Sequence, residues 1–317
     1  MTLALLFLAA GCVAFTNGAN ANFKGVASLY GSGTTTLRAA ALWGTATTFA
    51  GSIAALFLAE GLLHSFRGRG VVPDELVASR DFVCAAAVGG ALTSFLATRF
   101  GFPVSTTHAL VGALAGAGLA GSGEVRFAAL GTLFFYPLFF SPAVAAVAGA
   151  AVVLILTSAR LMPDRRTPAL DVLHFLSTGA ASFARGLNDT PKMAALVLAV
   201  PGLEVRWGFL IVALAIAAGG LLDSTRVAET LGKKITGMNP GQGFAASLVT
   251  AGLVTTASLH SLPVSTTHVS VGALLGMGAA TGRVHWRKVA EILLAWVSTV
   301  PCGAVLAALA YLLLTRL

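Results

Sequence analysis

The chain has 317 residues, of which 56% are hydrophobic and 10% charged, with a mean hydropathy of +0.86; soluble domains carry about 25% charged residues. Its 20 basic and 12 acidic side chains stand between long uncharged stretches, which excludes a water-soluble enzyme and describes a polytopic membrane protein. The formal charge of +8 gathers at the ends of apolar runs, where bases set topology and anchor headgroups, so it does not point to nucleic acid.

The first apolar run ends in Phe15, Thr16, Asn17, Gly18, Ala19, Asn20, Ala21, Asn22, Phe23 and Lys24. No basic residue precedes the run, and its closing residues return later, so it is expected to stay in the mature chain instead of serving as a signal peptide. Gly18 beside Asn20 at the end of an apolar helix is the pattern of a broken membrane helix whose freed carbonyls line a polar cavity. Gly31, Ser32, Gly33, Thr34, Thr35 and Thr36 resemble a phosphate loop only superficially, because the Gly-Lys-Ser/Thr ending is missing. Uncharged stretches follow at 39–59 and 82–98.

Next come Pro103, Val104, Ser105, Thr106, Thr107 and His108. Proline suits the opening turn of a helix, and serine or threonine caps its free N–H groups. Small apolar residues follow, as in a re-entrant half-helix packed in protein. Such a start offers unpaired N–H donors, three hydroxyls and the positive end of the helix dipole, where anions bind. His108 reads either as a packing residue or as a proton relay. The glycines of 112–123 permit close helix packing, and Pro137 and Pro142 are expected to kink the uncharged run 127–159.

Residues 160–168 are polar and proline-bearing, the expected connecting loop, with Arg160, Arg165 and Arg166 marking it as cytoplasmic. Beyond it the earlier motifs recur. Phe183, Gly186, Asn188 and Lys192 repeat Phe15, Gly18, Asn20 and Lys24, while Pro263, Val264, Ser265, Thr266, Thr267 and His268 repeat 103–108 without change. Two motifs in the same order indicate duplication, with repeats at 1–159 and 169–317. The expectation is an all-α membrane protein of about 10 to 12 segments, some not crossing fully, in two inverted repeats with broken helices and re-entrant half-helices. The two half-helices would approach from opposite faces and enclose one anion near the midplane.

Asp189 lies in an otherwise apolar run between Arg185 and Lys192. An intramembrane carboxylate is costly, so a basic partner or coupling ion is expected beside it. Lys24 and Lys192 either supply counter-charge to a doubly charged oxyanion or snorkel to the headgroups; their occurrence in both repeats favours the cavity. Glu60, Asp223, Glu229 and Glu291 fall near segment ends beside bases and read as solvated or interfacial. Cys12, Cys84 and Cys302 are isolated, so no metal site or disulfide framework is indicated. No catalytic constellation stands out, and neither a cofactor nor enzymatic activity is expected.

At these paired motifs the sequence resembles the PiT family of inorganic phosphate transporters. The resemblance covers essentially the whole chain. It implies a multi-pass inner- or plasma-membrane secondary transporter of phosphate, coupled to sodium or protons and working by alternating access, with a substrate site at the repeat interface of what is expected to be a homodimer. Carried onto this chain it implies Ser105, Thr106, Thr107, Ser265, Thr266 and Thr267 for the anion cradle, and Asn20, Asn188 and Asp189 for the ion or substrate region. Lys24 and Lys192 join the expected substrate site, and His108 and His268 the expected coupling set. Ala21 stands where the family pattern has an Asp, and Lys24 and Lys192 where it commonly has Asn. These departures make a sodium site less hospitable, leaving proton coupling or exchange. Asp189 favours phosphate, whose proton a carboxylate can accept; the competing readings are a sulfate permease of the same family, an anion channel and an intramembrane enzyme acting on phosphorylated lipid.

Overall fold

A computed structural model describes residues 2–68, 70–159 and 166–316; the Glu60 side chain and residues 160–165 of the expected connecting loop lie outside that set. The first half comprises α1 (Thr2–Ala21), α2 (Phe23–Gly31), α3 (Leu37–Leu58), the short α4 (Glu60–Ser65) and α5 (Asp74–Val77), α6 (Arg80–Arg99), α7 (Thr106–Ser122), α8 (Phe127–Leu130), a π turn at Gly131–Phe135 and α9 (Tyr136–Ser158). The second comprises α10 (Pro168–Val197), α11 (Val205–Leu222), the short α12 (Thr225–Glu229), a π turn at Thr230–Lys234, α13 (Pro240–Leu259), α14 (Thr266–Thr281) and α15 (Trp286–Leu314).

Seven segments among the described residues are long and apolar enough to cross a bilayer: Leu3–Gly31, Leu37–Leu58, Arg80–Arg99, Phe127–Ser158, Val205–Leu222, Pro240–Leu259 and Trp286–Leu314. Large apolar side chains such as Phe57, Phe139, Leu222 and Val297 face outward, as a hydrocarbon solvent permits. The chain is a multi-pass membrane protein. α7 and α14, with 17 and 16 residues, fall short of a full crossing and are buried along most of their length. α10 has the length, at 30 residues, but carries buried charges through its second half.

The helix boundaries repeat with the motifs. α6 and α13 begin 160 positions apart, at Arg80 and Pro240, and α3 and α11 begin 168 apart, at Leu37 and Val205. Each of α6 and α13 ends in a left-handed residue, Gly101 with φ 72° and Ser261 with φ 57°, and an extended segment then leads to the next helix. Ser105 and Ser265 start α7 and α14 by accepting the N–H of His108 at 3.1 Å and of His268 at 3.2 Å, the capping expected at both copies.

Packing exchanges the halves. α1 lies on α6 and α11, and its counterpart α10 lies on α13 and α3. α7 packs on α15, and α14 on α9, so each half-helix leans on a helix of the other repeat. The expected close glycine contacts are there: a Cβ on Gly116 would overlap Ala304 O, and one on Gly276 would overlap Ala146 O. Neither carbonyl belongs to a side chain that can turn away. Gly276→Val is therefore expected to lower stability by about 1–3 kcal/mol as an overpacked contact, read as a drop in melting temperature in detergent; an unchanged melt would show that α14 and α9 separate freely.

At the Asn motifs the helices do not break as the sequence suggested. α1 and α2 are interrupted only at Asn22, whose N–H still reaches Gly18 O at 3.0 Å, and α10 runs unbroken through Gly186, Asn188, Asp189 and Pro191. The polar side chains find partners on neighbouring helices, so the backbone has no need to unwind. The irregular backbone lies instead ahead of α7 and α14, buried in protein as membrane-level irregularity requires. Pro137 and Pro142 lie just after the π turn and within α9, where their missing N–H groups remove helix hydrogen bonds.

Candidate functional site

Asn17, Asn20 and Lys24 fall on one face of α1 and its continuation α2, and Arg185, Asn188, Asp189 and Lys192 on one face of α10, by helical spacing. All are buried: Lys24 is 5% exposed, Arg185 1%, Asp189 4% and Lys192 0%. Lysine stems this far inside do not snorkel to headgroups. Lys24 Nζ donates to Val104 O at 2.9 Å, and Lys192 Nζ to Val264 O at 2.9 Å. Each lysine thus binds the carbonyl just ahead of a half-helix, one in each copy of the repeated motif. Lys192 also reaches Thr107 Oγ1 at 3.0 Å, Asp189 Oδ1 at 3.1 Å and Asn188 Oδ1, so four acceptors converge on three hydrogens.

Asp189 joins the groups together. Its Oδ2 accepts from Asn17 Nδ2 at 3.2 Å and Thr266 Oγ1 at 3.3 Å, and lies 3.7 Å from Arg185 Nε. Asn17 Nδ2 also donates to Thr106 Oγ1 at 3.0 Å, and Arg185 braces Asn17 Oδ1 at 2.9 Å and Thr48 Oγ1 at 3.2 Å. Thr267 Oγ1 crosses to Val104 O at 2.7 Å. The two Ser-Thr-Thr segments therefore meet in the protein interior, away from lipid and bulk water. Formally, Lys24, Arg185 and Lys192 against Asp189 leave two buried positive charges without a carboxylate.

The remaining expected residues are placed differently from one another. Asn20 is a brace: Nδ2 donates to Thr98 Oγ1 at 3.0 Å and Phe102 O at 2.9 Å, and Oδ1 accepts from Val104 N at 3.1 Å. Asn188 Nδ2 donates to Ser258 Oγ at 3.0 Å, with Thr98 and Ser258 again 160 apart. His108 and His268 come together, ring centroids 4.5 Å apart, and His268 lies 3.9 Å from the Trp296 ring. Leu138 O lies 2.9 Å from His268 Nδ1; a carbonyl only accepts, so Nδ1 carries the hydrogen, and among the described residues Nε2 has no hydrogen-bond partner. Among the described residues neither imidazole hydrogen-bonds to the Asp189 group. Both Asp189 oxygens are met by donors, and the carboxylate lies beside the buried bases Arg185 and Lys192, the basic partners expected from the sequence.

The comparisons with known proteins identify the family. The model of the phosphate transporter family matches residues 17–307, which takes in Asn17 to Lys24 of the first motif, its second copy and both Pro-Val-Ser-Thr-Thr-His segments. The chain belongs to that family. A probable low-affinity inorganic phosphate transporter of Rhizobium meliloti is 35% identical over 77% of this chain and 77% of its own, and one of Bacillus subtilis is 30% identical over 74% and 75%. A putative phosphate permease of Thermococcus kodakarensis is 26% identical over 95% of both chains. Among solved structures, one described as the sodium-dependent phosphate transporter aligns with a TM-score of 0.78 at 24% identity, covering 100% of this chain and 99% of that one, a likeness of fold.

Several groups at the centre of this phosphate transporter family member are not among the expected site residues. Asn17 was within reach of a sequence argument, since it precedes Asn20 by three residues on one helical face and lies 168 positions before Arg185. The carbonyls of Val104 and Val264 carry no side-chain signal. Thr48, Thr98, Ser258 and Trp296 sit in stretches whose pattern is that of ordinary packing, and only the fold brings them to the site. Glu291, expected at an interface beside bases, meets Lys288 Nζ at 2.8 Å and Arg287 Nε at 3.8 Å.

Proposed function

We propose that the protein is a secondary transporter that carries inorganic phosphate as a dianion across the membrane, held between the starts of α7 and α14 and facing Lys24 and Lys192. The observation that carries this reading is the presence of three buried basic side chains, Lys24, Arg185 and Lys192, against one carboxylate at the meeting point of two helix N-termini. The backbone N–H groups of Thr106, Thr107, Thr266 and Thr267 fall in first turns, where no intrahelical acceptor exists, and the dipole there favours an anion. Phosphate is preferred to sulfate on the strength of the family and its named relatives.

The repeats are proposed to be inverted, a reading supported by packing that maps onto itself when the halves are exchanged. In the proposed alternating access the moving bodies are not residues 1–159 against 169–317. α7 travels with α15 and α14 with α9, because the glycine contacts hold each pair together.

Sodium is not required in this proposal. The side-chain oxygens of Asn20, Asn188 and Asp189 all face N–H or O–H donors, and Ala21 supplies no carboxylate. Proton coupling or exchange remains. Phosphate uptake into proteoliposomes, competed with sulfate and arsenate, is expected to be equal within twofold with and without an inward sodium gradient; several-fold stimulation by sodium overturns this. Ala21→Asp would place a carboxylate three residues before Lys24, the spacing at which Asp189 meets Lys192. It removes one of the two surplus charges, so a several-fold rise in KM for phosphate is expected in the same assay.

A further inference from the structure

The surroundings of the two lysines differ. Beside Lys24 the free volume is about 10 Å³, room for about one water. Hydroxyls crowd that side: Ser28 Oγ meets Ser247 Oγ at 2.7 Å and His174 Nε2 at 2.8 Å, and Thr34 Oγ1 meets His174 Nδ1 at 3.2 Å. Outside it, Arg166 spans Asp171, at 2.8 Å, and Thr34 O, at 2.7 Å. On the Lys192 side a cavity of about 560 Å³ opens, lined by Phe66, Arg67, Asp74, Ser79, Arg80 and the end of α10 with the residues just after it, from Ala195 and Leu196 to Leu198 and Ala199. Its mouth is at the surface, where Asp74 and Arg80 are exposed.

Phe66 stands between this cavity and the buried charges. The ring lines the cavity, is 1% exposed, has Lys192 Nζ 5.7 Å from its centroid and is held edge-on by Phe134 at 5.1 Å. Ala195 on the cavity wall is the residue one helical turn beyond Lys192. Two guanidiniums and one carboxylate, Asp74, are among the lining side chains, a surplus of positive charge, and the N-terminus of the 20-residue α6 opens on the same wall; a positive surplus raises the local concentration of anions.

We propose that this cavity is an oxyanion vestibule: Arg67 and Arg80 draw the anion to its mouth, and the Phe66 ring is the gate it passes to reach Lys192. The proposal rests on the transport reading above. It also assigns the conformation, open on the Arg67 side and closed on the His174 side. The vestibule captures the anion without holding it in the transport site, so its charges act on KM and leave the saturating rate in place.

Initial rates of phosphate uptake in proteoliposomes test this with Arg67→Gln and Arg80→Gln combined. KM is expected to rise at least fivefold at low ionic strength, the saturating rate to stay within twofold, and the difference to shrink as salt is added. A KM within twofold of the unaltered protein, or a loss of saturating rate at unchanged KM, overturns the vestibule. A second measurement works on protein that is already folded: Ser79→Cys in a chain with Cys12→Ser, Cys84→Ala and Cys302→Ser, modified in the membrane by anionic or cationic methanethiosulfonates. The anionic adduct is expected to raise KM several-fold and the cationic adduct to leave or lower it; equal effects of the two overturn the proposal. Absence of phosphate uptake by the unaltered protein overturns the transport reading and the vestibule with it, whereas uptake with an indifferent vestibule overturns the vestibule alone.

Discussion

Lys192→Met is expected to lower phosphate uptake at least a hundredfold while leaving the protein folded. Methionine keeps most of the stem's volume, so the packing around it survives. What disappears is the ammonium that binds Val264 O, Thr107 and Asp189, and with it one of the two charges left over for a dianion. A hundredfold loss corresponds to about 2.7 kcal/mol, the order of a single charge-assisted hydrogen bond in a dry site. Lys192→Arg is not expected to rescue it, because a planar fork cannot replace a point charge reaching several acceptors from one atom. The check is the initial uptake rate beside a thermal melt in detergent: near-normal uptake by Lys192→Met would remove the lysine from the transport site.

Asp189→Asn carries the larger expected effect on stability. The carboxylate is the counter-ion of both Lys192 and Arg185, and removing one partner of a buried ionic group costs about 3–5 kcal/mol, because the others remain charged and out of water. The single variant should therefore melt well below the unaltered protein, or fail to accumulate. Asp189→Asn combined with Lys192→Met removes an opposite pair and is expected to recover most of that stability without recovering transport. Should the double variant melt no higher than the single one, the network is not electrostatic in the way described.

Much of this site can be read in the chain itself. The duplicated Pro-Val-Ser-Thr-Thr-His segments announce two helix starts because serine caps free N–H groups, and both helices start at the residue after the serine; Pro103 and Pro263 lie in the extended stretch ahead of the caps and not in the expected opening turn. Asp189 between Arg185 and Lys192 announces an ion pair because a lone carboxylate could not persist there. The helices stay intact at the Asn motifs for an equally definite reason. Glycine beside asparagine permits a helix to break but does not compel it, and whether it breaks depends on partners such as Thr98 and Ser258, nearly 80 and 70 residues away. His108 and His268 share the fate of many repeated residues: repetition says that they occupy equivalent places, and only the fold says that those places adjoin.

Hydropathy, the repeat and its capped helix starts were thus determined by the sequence alone, since they follow from local backbone chemistry and from transfer out of water. The tertiary structure decided which lysine faces which carbonyl, that each half-helix packs against the other repeat, and that a cavity opens beyond Phe66 on the Lys192 side while hydroxyls crowd the space beside Lys24. Those are relations between distant segments, and they are set by how close glycine lets two backbones approach and by which buried donor reaches which acceptor. No pattern along a single chain encodes such distances.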